Sequence, residues 1–355
     1  MTVPSKPSHG SRARPKRFSK AGIGVIATLL ILTAVVVAAA LYHPPVVLLS
    51  TTPAIDVTGD IAIKGVATSR LHGHYLILTV SEQSPSELQR VLSHWSSSAT
   101  ILPVAAVRPP EAPAREYRRT EKVEFVDSQT AAAAAAAEAV GLPVRLTGDG
   151  LQVVDVLRGS PADGALRAGD VVTRLDGSRV ATGADLVAGT RGKPAGTRYR
   201  LAVTRAGHRI VVHIASARLR GAKPTVVGFG IRTVTRNPNV GLPFSIRFKH
   251  HDIGGPSGGL IYALAIADML DPADLAGGRR IAATGTIGID GGVGPIGGLK
   301  QKAIEAANAK ATILLVPRSE PPSELRGVRF PGAHTTVDDL RDAIAVLRKP
   351  HATTG

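Results

Sequence analysis

Apolar residues along this chain fall into one long unbroken run and, further on, many short runs punctuated by glycine and proline. Ala21 to Leu41 is uncharged throughout and rich in Ile, Leu, Val and Ala. At 1.5 Å per residue it reaches roughly 30 Å, the thickness of a bilayer's hydrocarbon core. The pattern predicts a single membrane span at 21–42, with residues 1–20 as a basic cytoplasmic tail and the bulk of the chain outside the cytoplasm. A cleaved signal peptide competes, since Val37-Ala38-Ala39 offers small residues, but its apolar core would be shorter.

Pro44 to about Val126 reads as a small β-rich region, 43–126, acting as spacer or cap. Tyr75-Leu76-Ile77-Leu78-Thr79-Val80 has the look of a strand, and Ser84 to Trp95 has helical spacing opened by Ser84-Pro85-Ser86-Glu87. Arg108 to Arg119, rich in Pro, Arg and Glu, suits a surface connection. Seven alanines follow Asp127-Ser128-Gln129-Thr130 and predict a helix capped by Asp127 or Ser128. From Gly141 to Ala217 short strands alternate with glycine turns.

At 355 residues the chain has room for two or three cores. It holds no Cys, which excludes disulfides, thiolate metal sites and Cys nucleophiles. The net charge of +16 is partly a crowd of Lys and Arg in the first twenty residues. It lacks aromatic interleaving, so a generally basic surface is expected and a nucleic-acid partner is not. Gly189-Thr190-Arg191-Gly192-Lys193-Pro194 is too short for a P-loop, and no metal-ligand spacing appears, so no cofactor is expected.

The chemistry concentrates further on. Gly254-Gly255-Pro256-Ser257-Gly258-Gly259 opens an apolar helical run, where free amides favour an oxyanion near Ser257. By itself Ser257 reads equally as a helix cap. Gly294-Pro295-Ile296-Gly297-Gly298-Leu299-Lys300 opens a second helix, and a lysine at a helix start has its ammonium disfavoured, as a general base requires. His250, His251 and Asp252 invite a Ser-His-Asp reading, but the nucleophile elbow wants its Asp and His well after the Ser.

From about Val227 to Val316 these blocks resemble the proteolytic domain of Lon-type proteases. The resemblance implies a Ser–Lys dyad of Ser257 and Lys300, supported by Thr284 and Gly258, in an α/β domain at 222–348. It implies protein or peptide substrates and a ring-like homo-oligomer; the ATP-driven unfolding that Lon proper performs with a separate module is not expected, since no nucleotide site is visible in the sequence. Two departures stand out: Thr286 where a Thr-Gly-Glu would end, and Gly254 where an Asp often precedes Gly-Pro-Ser. They motivate the alternative of an inactive membrane scaffold.

Gly159-Ser160-Pro161-Ala162, Ala168-Gly169-Asp170-Val171-Val172 and Leu175-Asp176-Gly177 resemble PDZ domains of bacterial proteases. The implied domain is 127–217 with its preceding helix. Thr147-Gly148-Asp149-Gly150 with Leu151 would be its carboxylate loop, with Gly148, Gly150 and Leu151 as peptide contacts, although Asp149 would repel a carboxylate. The whole reads as an α/β multidomain protein: single transmembrane helix, small β-rich region, PDZ-like β domain and Lon-type proteolytic α/β domain.

Overall fold

The computed structural model describes residues 20–96, 98–107, 114–219, 227–249 and 253–349. The basic tail and the His250-His251-Asp252 cluster lie outside the described residues, apart from the tail's last position. Lys20–Leu41 is a helix. Among the described residues no helix is long and apolar enough to cross a membrane. The expected span at 21–42 is corrected accordingly, and with it the single-pass cell-membrane placement.

The C-terminal half is built on a five-stranded sheet in the order Ile55–Asp56, His74–Ile77, Arg280–Ala283, Ile313–Pro317, Ala333–Val337. The last four strands run parallel, and Ile55–Asp56 pairs antiparallel at the edge. Strands buried on both faces need apolar side chains at every position. Tyr75, Ile77, Ile281, Ala283, Ile313 and Leu315 face one cluster. Leu76, Leu78, Ala282, Leu314 and Val316 face the other.

On the first face lies the helix Gly259–Leu270, apolar all round and buried from Gly259 to Asp268. Over it packs a long helix, Ala114–Ala139, whose Ala132, Ala133 and Ala136 are fully buried against it. Alanine side chains let the two backbones approach closely. On the second face lies the helix Leu299–Asn308. It is covered in turn by an antiparallel sheet of Val80–Gln83, Val46–Thr51 and Thr100–Pro103. Gln301 Nε2 donates to Thr100 Oγ1 at 2.7 Å across that contact.

The region 43–126 therefore is not a separate unit. His74–Ile77 is hydrogen-bonded to the central strand Arg280–Ala283 of the five-stranded sheet. The alanine helix also departs from expectation. It starts at Ala114 and not at Asp127, and it belongs to the catalytic half and not to the PDZ half. Ser128 does not cap it; its Oγ donates back to the Phe125 carbonyl at 2.7 Å inside the helix. The short helix expected near Ser84 is present as Glu87–Leu92, with Ser86 and Gln89 forming a reciprocal capping box.

Residues 151–215 form an antiparallel sheet of Leu151–Val156, Val171–Leu175, Arg198–Arg205 and His208–Ala215 around a core of their own. A helix at Gly183–Thr190 is capped through Thr182 and Asp185. Residues 161–165 are a run of turns. A further strand joins this sheet from outside: Ile231–Thr235 pairs antiparallel with Leu151–Val156, and the chain then continues into the catalytic half.

One buried carboxylate ties loop to sheet. Asp268 accepts hydrogen bonds from Tyr75 Oη at 2.7 Å and from the amides of Leu275 and Ala276 at 2.7 and 3.2 Å. Asp268→Ala should leave three buried donors without an acceptor and cost about 3 kcal/mol. Urea denaturation will show this as a lowered midpoint at constant slope.

Candidate functional site

The strand Arg280–Ala283 ends at Thr284, which is fully buried. Helices on opposite faces of the sheet meet beyond that end, as ligand sites of open parallel sheets do. From one face comes Ser257, in the 3₁₀ turn Pro256–Gly258 that opens the helix Gly259–Leu270. The turn is entered through Gly255 at φ +83°, a conformation that disfavours any side chain. The Ser257 carbonyl is held by the Gly285 amide at 2.8 Å and by Thr284 Oγ1 at 3.3 Å. A helix start leaves the Ser257 and Gly258 amides without an intrahelical acceptor.

From the other face comes Lys302. Its Nζ donates to Ser257 Oγ at 2.9 Å and to Thr284 Oγ1 at 3.2 Å. Only 2 % of it is exposed. Burial pulls its pKa down to about 8, against the upward pull of the carboxylates of Glu320, Glu121 and Glu82. A neutral amine is therefore accessible near physiological pH. The hydrogen bond at 2.9 Å then runs in reverse, with Ser257 Oγ as donor.

Lys300, the expected base, is not at this hydroxyl; it is half-buried two residues away. The reason is helical geometry. Leu299, Lys302, Ala303 and Ala306 form one i, i+3, i+4, i+7 stripe, and all four are buried. Lys300 follows Leu299 by about 100° and leaves that stripe. The signal was in the sequence: of the two lysines, only Lys302 shares the phase of the apolar positions. The side chains brought together are thus Ser257, Lys302 and Thr284, with Lys302 where Lys300 was expected.

Gly258 and Gly259 are sites of close packing. A Cβ on Gly258 would meet Ile77 Cδ1 at 2.5 Å, and one on Gly259 would meet Ile287 Cγ2 at 2.6 Å. Both are buried.

The expected carboxylate loop is closed by the chain itself. The Asp149 amide donates to the Arg236 carbonyl at 2.9 Å, and Arg236 N–H donates to the Gly150 carbonyl at 2.8 Å. Leu151 is paired with Thr235, and a Cβ on Gly148 would lie 2.5 Å from Thr235 Cγ2. Gly148, Gly150 and Leu151 are therefore engaged by the strand Ile231–Thr235 and its extension.

Two families match the chain. Residues 138–215 match the PDZ domain, and residues 251–328 match the Lon protease (S16) C-terminal proteolytic domain. The chain is 37% identical over 102 residues to a Lon protease of Campylobacter concisus, an alignment covering 27% of this chain and 12% of that protein. A PDZ domain of an SdrC-like protein from Listeria innocua is 25% identical, covering 24% of this chain and 93% of its own, with TM-score 0.23. A solution structure from Geobacillus thermodenitrificans is 28% identical, covering 24% of this chain and 95% of its own, with TM-score 0.22. The chain thus joins a stretch similar to PDZ domains to a stretch similar to the Lon protease (S16) C-terminal proteolytic domain, and it spans about an eighth of the length of the curated Lon protease it matches.

A buried ammonium costs stability that a neutral side chain would not. Lowering a lysine from its unfolded pKa near 10.4 to about 8 corresponds to about 3 kcal/mol against the native state below pH 8. Lys302→Met should therefore raise Tm at pH 7. The gain should shrink between pH 8 and about 10.4, because the unfolded lysine also becomes neutral there. Calorimetry across that range measures both effects.

Proposed function

We propose that the chain is a nucleotide-independent serine endopeptidase acting through a Ser257–Lys302 dyad on extended or unfolded protein segments. The observation that carries this is the hydrogen bond of 2.9 Å between Lys302 Nζ and Ser257 Oγ in a dry setting. Neutral Lys302 takes the Ser257 proton as Oγ attacks the substrate carbonyl. The Ser257 and Gly258 amides at the helix start face the developing oxyanion. The resulting Lys302 ammonium returns the proton to the leaving amine, and water repeats the cycle on the acyl-enzyme.

Thr284 serves as a relay in this scheme. Its hydroxyl donates to the Ser257 carbonyl and so turns a lone pair toward Lys302. That fixes the amine against the nucleophile without adding a charge. Serine, lysine and threonine all come from one chain, so the chemistry does not require a ring of subunits. The PDZ domain stands beside this machinery as a protein-contact module. Extended substrates fit a chain whose sequence carries no P-loop.

The inactive scaffold is the second reading, motivated by Gly254 and Thr286 in place of carboxylates. What weighs against it is Lys302 itself, since a buried ammonium costs stability and a scaffold has no use for one.

Casein or another unfolded substrate tests the proposal directly. Ser257→Ala and Lys302→Ala should each lower kcat/KM at least ~10³-fold with the fold intact by circular dichroism. Lys300→Ala should stay within about threefold of the parent, because its side chain lies off the buried stripe. The parent rate should fall as pH drops below about 8, where Lys302 keeps its proton. Equal loss in Lys300→Ala and Lys302→Ala would refute the assignment, and cleavage by Ser257→Ala would refute the dyad.

A further inference from the structure

Gly254 sits directly before Gly255-Pro256-Ser257, and the space its missing side chain leaves is filled from elsewhere. A Cβ on Gly254 would lie 3.0 Å from Glu121 Cβ and 3.6 Å from Glu121 Oε2. A Cβ on Gly255 would lie 3.0 Å from the same Oε2. The Glu121 main chain is engaged too, since its carbonyl accepts the Gly255 amide at 2.9 Å. Glu121 belongs to the helix Ala114–Ala139, more than 100 residues from Ser257 in sequence and outside the stretch that matches the proteolytic domain. The two glycines are thus the seat of a carboxylate delivered by another helix.

We infer that Glu121 is a positioning residue of the active site: it clamps the turn that carries Ser257 and supplies the negative charge that the Lys302 ammonium faces at rest. The inference rests on the Ser257–Lys302 reading. Three features converge on it. The clamp joins main chain to main chain at Gly255, so the turn cannot shift without moving the helix. The carboxylate lies against Gly254 and Gly255, three and two residues before the nucleophile. Its charge is of the sign that retains the lysine proton, as Glu121 and Lys302 each act on the other's titration.

Other groups share that field. Lys302 also faces Glu320 and Glu82. Glu320 is already engaged, accepting the Ile296 amide at 2.8 Å in the loop before the lysine's helix. Glu121 is hydrogen-bonded to Tyr117 and lies near Glu82 and Glu124, and burial with those like charges raises its own pKa. Below the range where Glu121 protonates, its hold on the ammonium is lost. Above it, the carboxylate raises the pH at which Lys302 becomes a base.

The sign follows. Replacing the carboxylate by an amide of the same shape keeps the turn packed and removes one negative charge. Lys302 should then lose its proton at lower pH, so the acid limb of kcat/KM in Glu121→Gln should move down the pH scale while the plateau stays within a few-fold of the parent. A second pair of variants tests the seat. Gly254→Asp should cut activity at least tenfold in the parent, where its Cβ would run into Glu121, and should regain most of it in Glu121→Ala.

A readout without turnover separates this inference from the dyad. In Ser257→Ala protein, with or without Glu121→Gln, the ¹³Cε resonance of Lys302 gives the titration midpoint directly. A lower midpoint in the doubly substituted protein supports the electrostatic role of Glu121 at Lys302, whatever the cleavage assays say of the dyad. Superimposable midpoints and pH profiles overturn the role of Glu121 while leaving Ser257 and Lys302 untouched. Gly254→Asp with parental activity would overturn the seat.

Discussion

Everything distinctive about the catalytic half follows from placing one lysine amine where water does not reach. Lys302 has two neutral hydroxyls as hydrogen-bond partners, Ser257 and Thr284. A bonded carboxylate would hold the proton and abolish basicity; two hydroxyls leave the ammonium weakly stabilised. Carboxylates stand farther off, at Glu320, Glu121 and Glu82, and moderate the effect of burial without cancelling it. The balance leaves the amine near pH 8, the range a general base for serine requires.

That burial needs walls on every side, and the fold supplies them from segments far apart in sequence. The lysine's helix is sandwiched between the parallel sheet and the small antiparallel sheet at Val46–Thr51, Val80–Gln83 and Thr100–Pro103. The serine's helix is sandwiched between the same parallel sheet and the alanine helix. Removing either cover would hydrate its helix and return the lysine to an ordinary pKa. Residues 43–139, which carry no catalytic group of their own, are therefore a condition of the chemistry.

The sequence made part of this legible. Ser257 and Thr284 stand where the glycine-flanked turn and the apolar strand before Thr284 put them, because those signals are local. Lys302 is legible by its phase with Leu299, Ala303 and Ala306, whereas the glycines before Lys300 mark only the helix start. Tyr75-Leu76-Ile77-Leu78 announced a strand buried on both faces, yet nothing local says which sheet it joins. Its partner Arg280–Ala283 lies some 200 residues on, and such pairing is fixed by tertiary packing. The apolar run at 21–41 misled by composition alone. The loop Thr147–Gly150 misled because its partner is a strand from beyond the PDZ domain.

That strand has a mechanical consequence. Ile231–Thr235 is hydrogen-bonded along Leu151–Val156. Asn239–Gly241 continues by pairing with Arg145–Thr147. Four residues later Ser245–Phe248 pairs with Ile61–Lys64 in the catalytic half. One continuous segment is thus stitched first to the PDZ sheet and then to the proteolytic domain. A flexible linker would let the PDZ domain swing freely. A segment hydrogen-bonded on both sides of the junction opposes such swinging, because pulling it away would leave backbone groups unpaired. Phe248 packs edge-on against Tyr262 of the serine's helix, with ring centroids 5.3 Å apart. The path from the PDZ sheet to the nucleophile's helix therefore runs through hydrogen-bonded strand and aromatic contact.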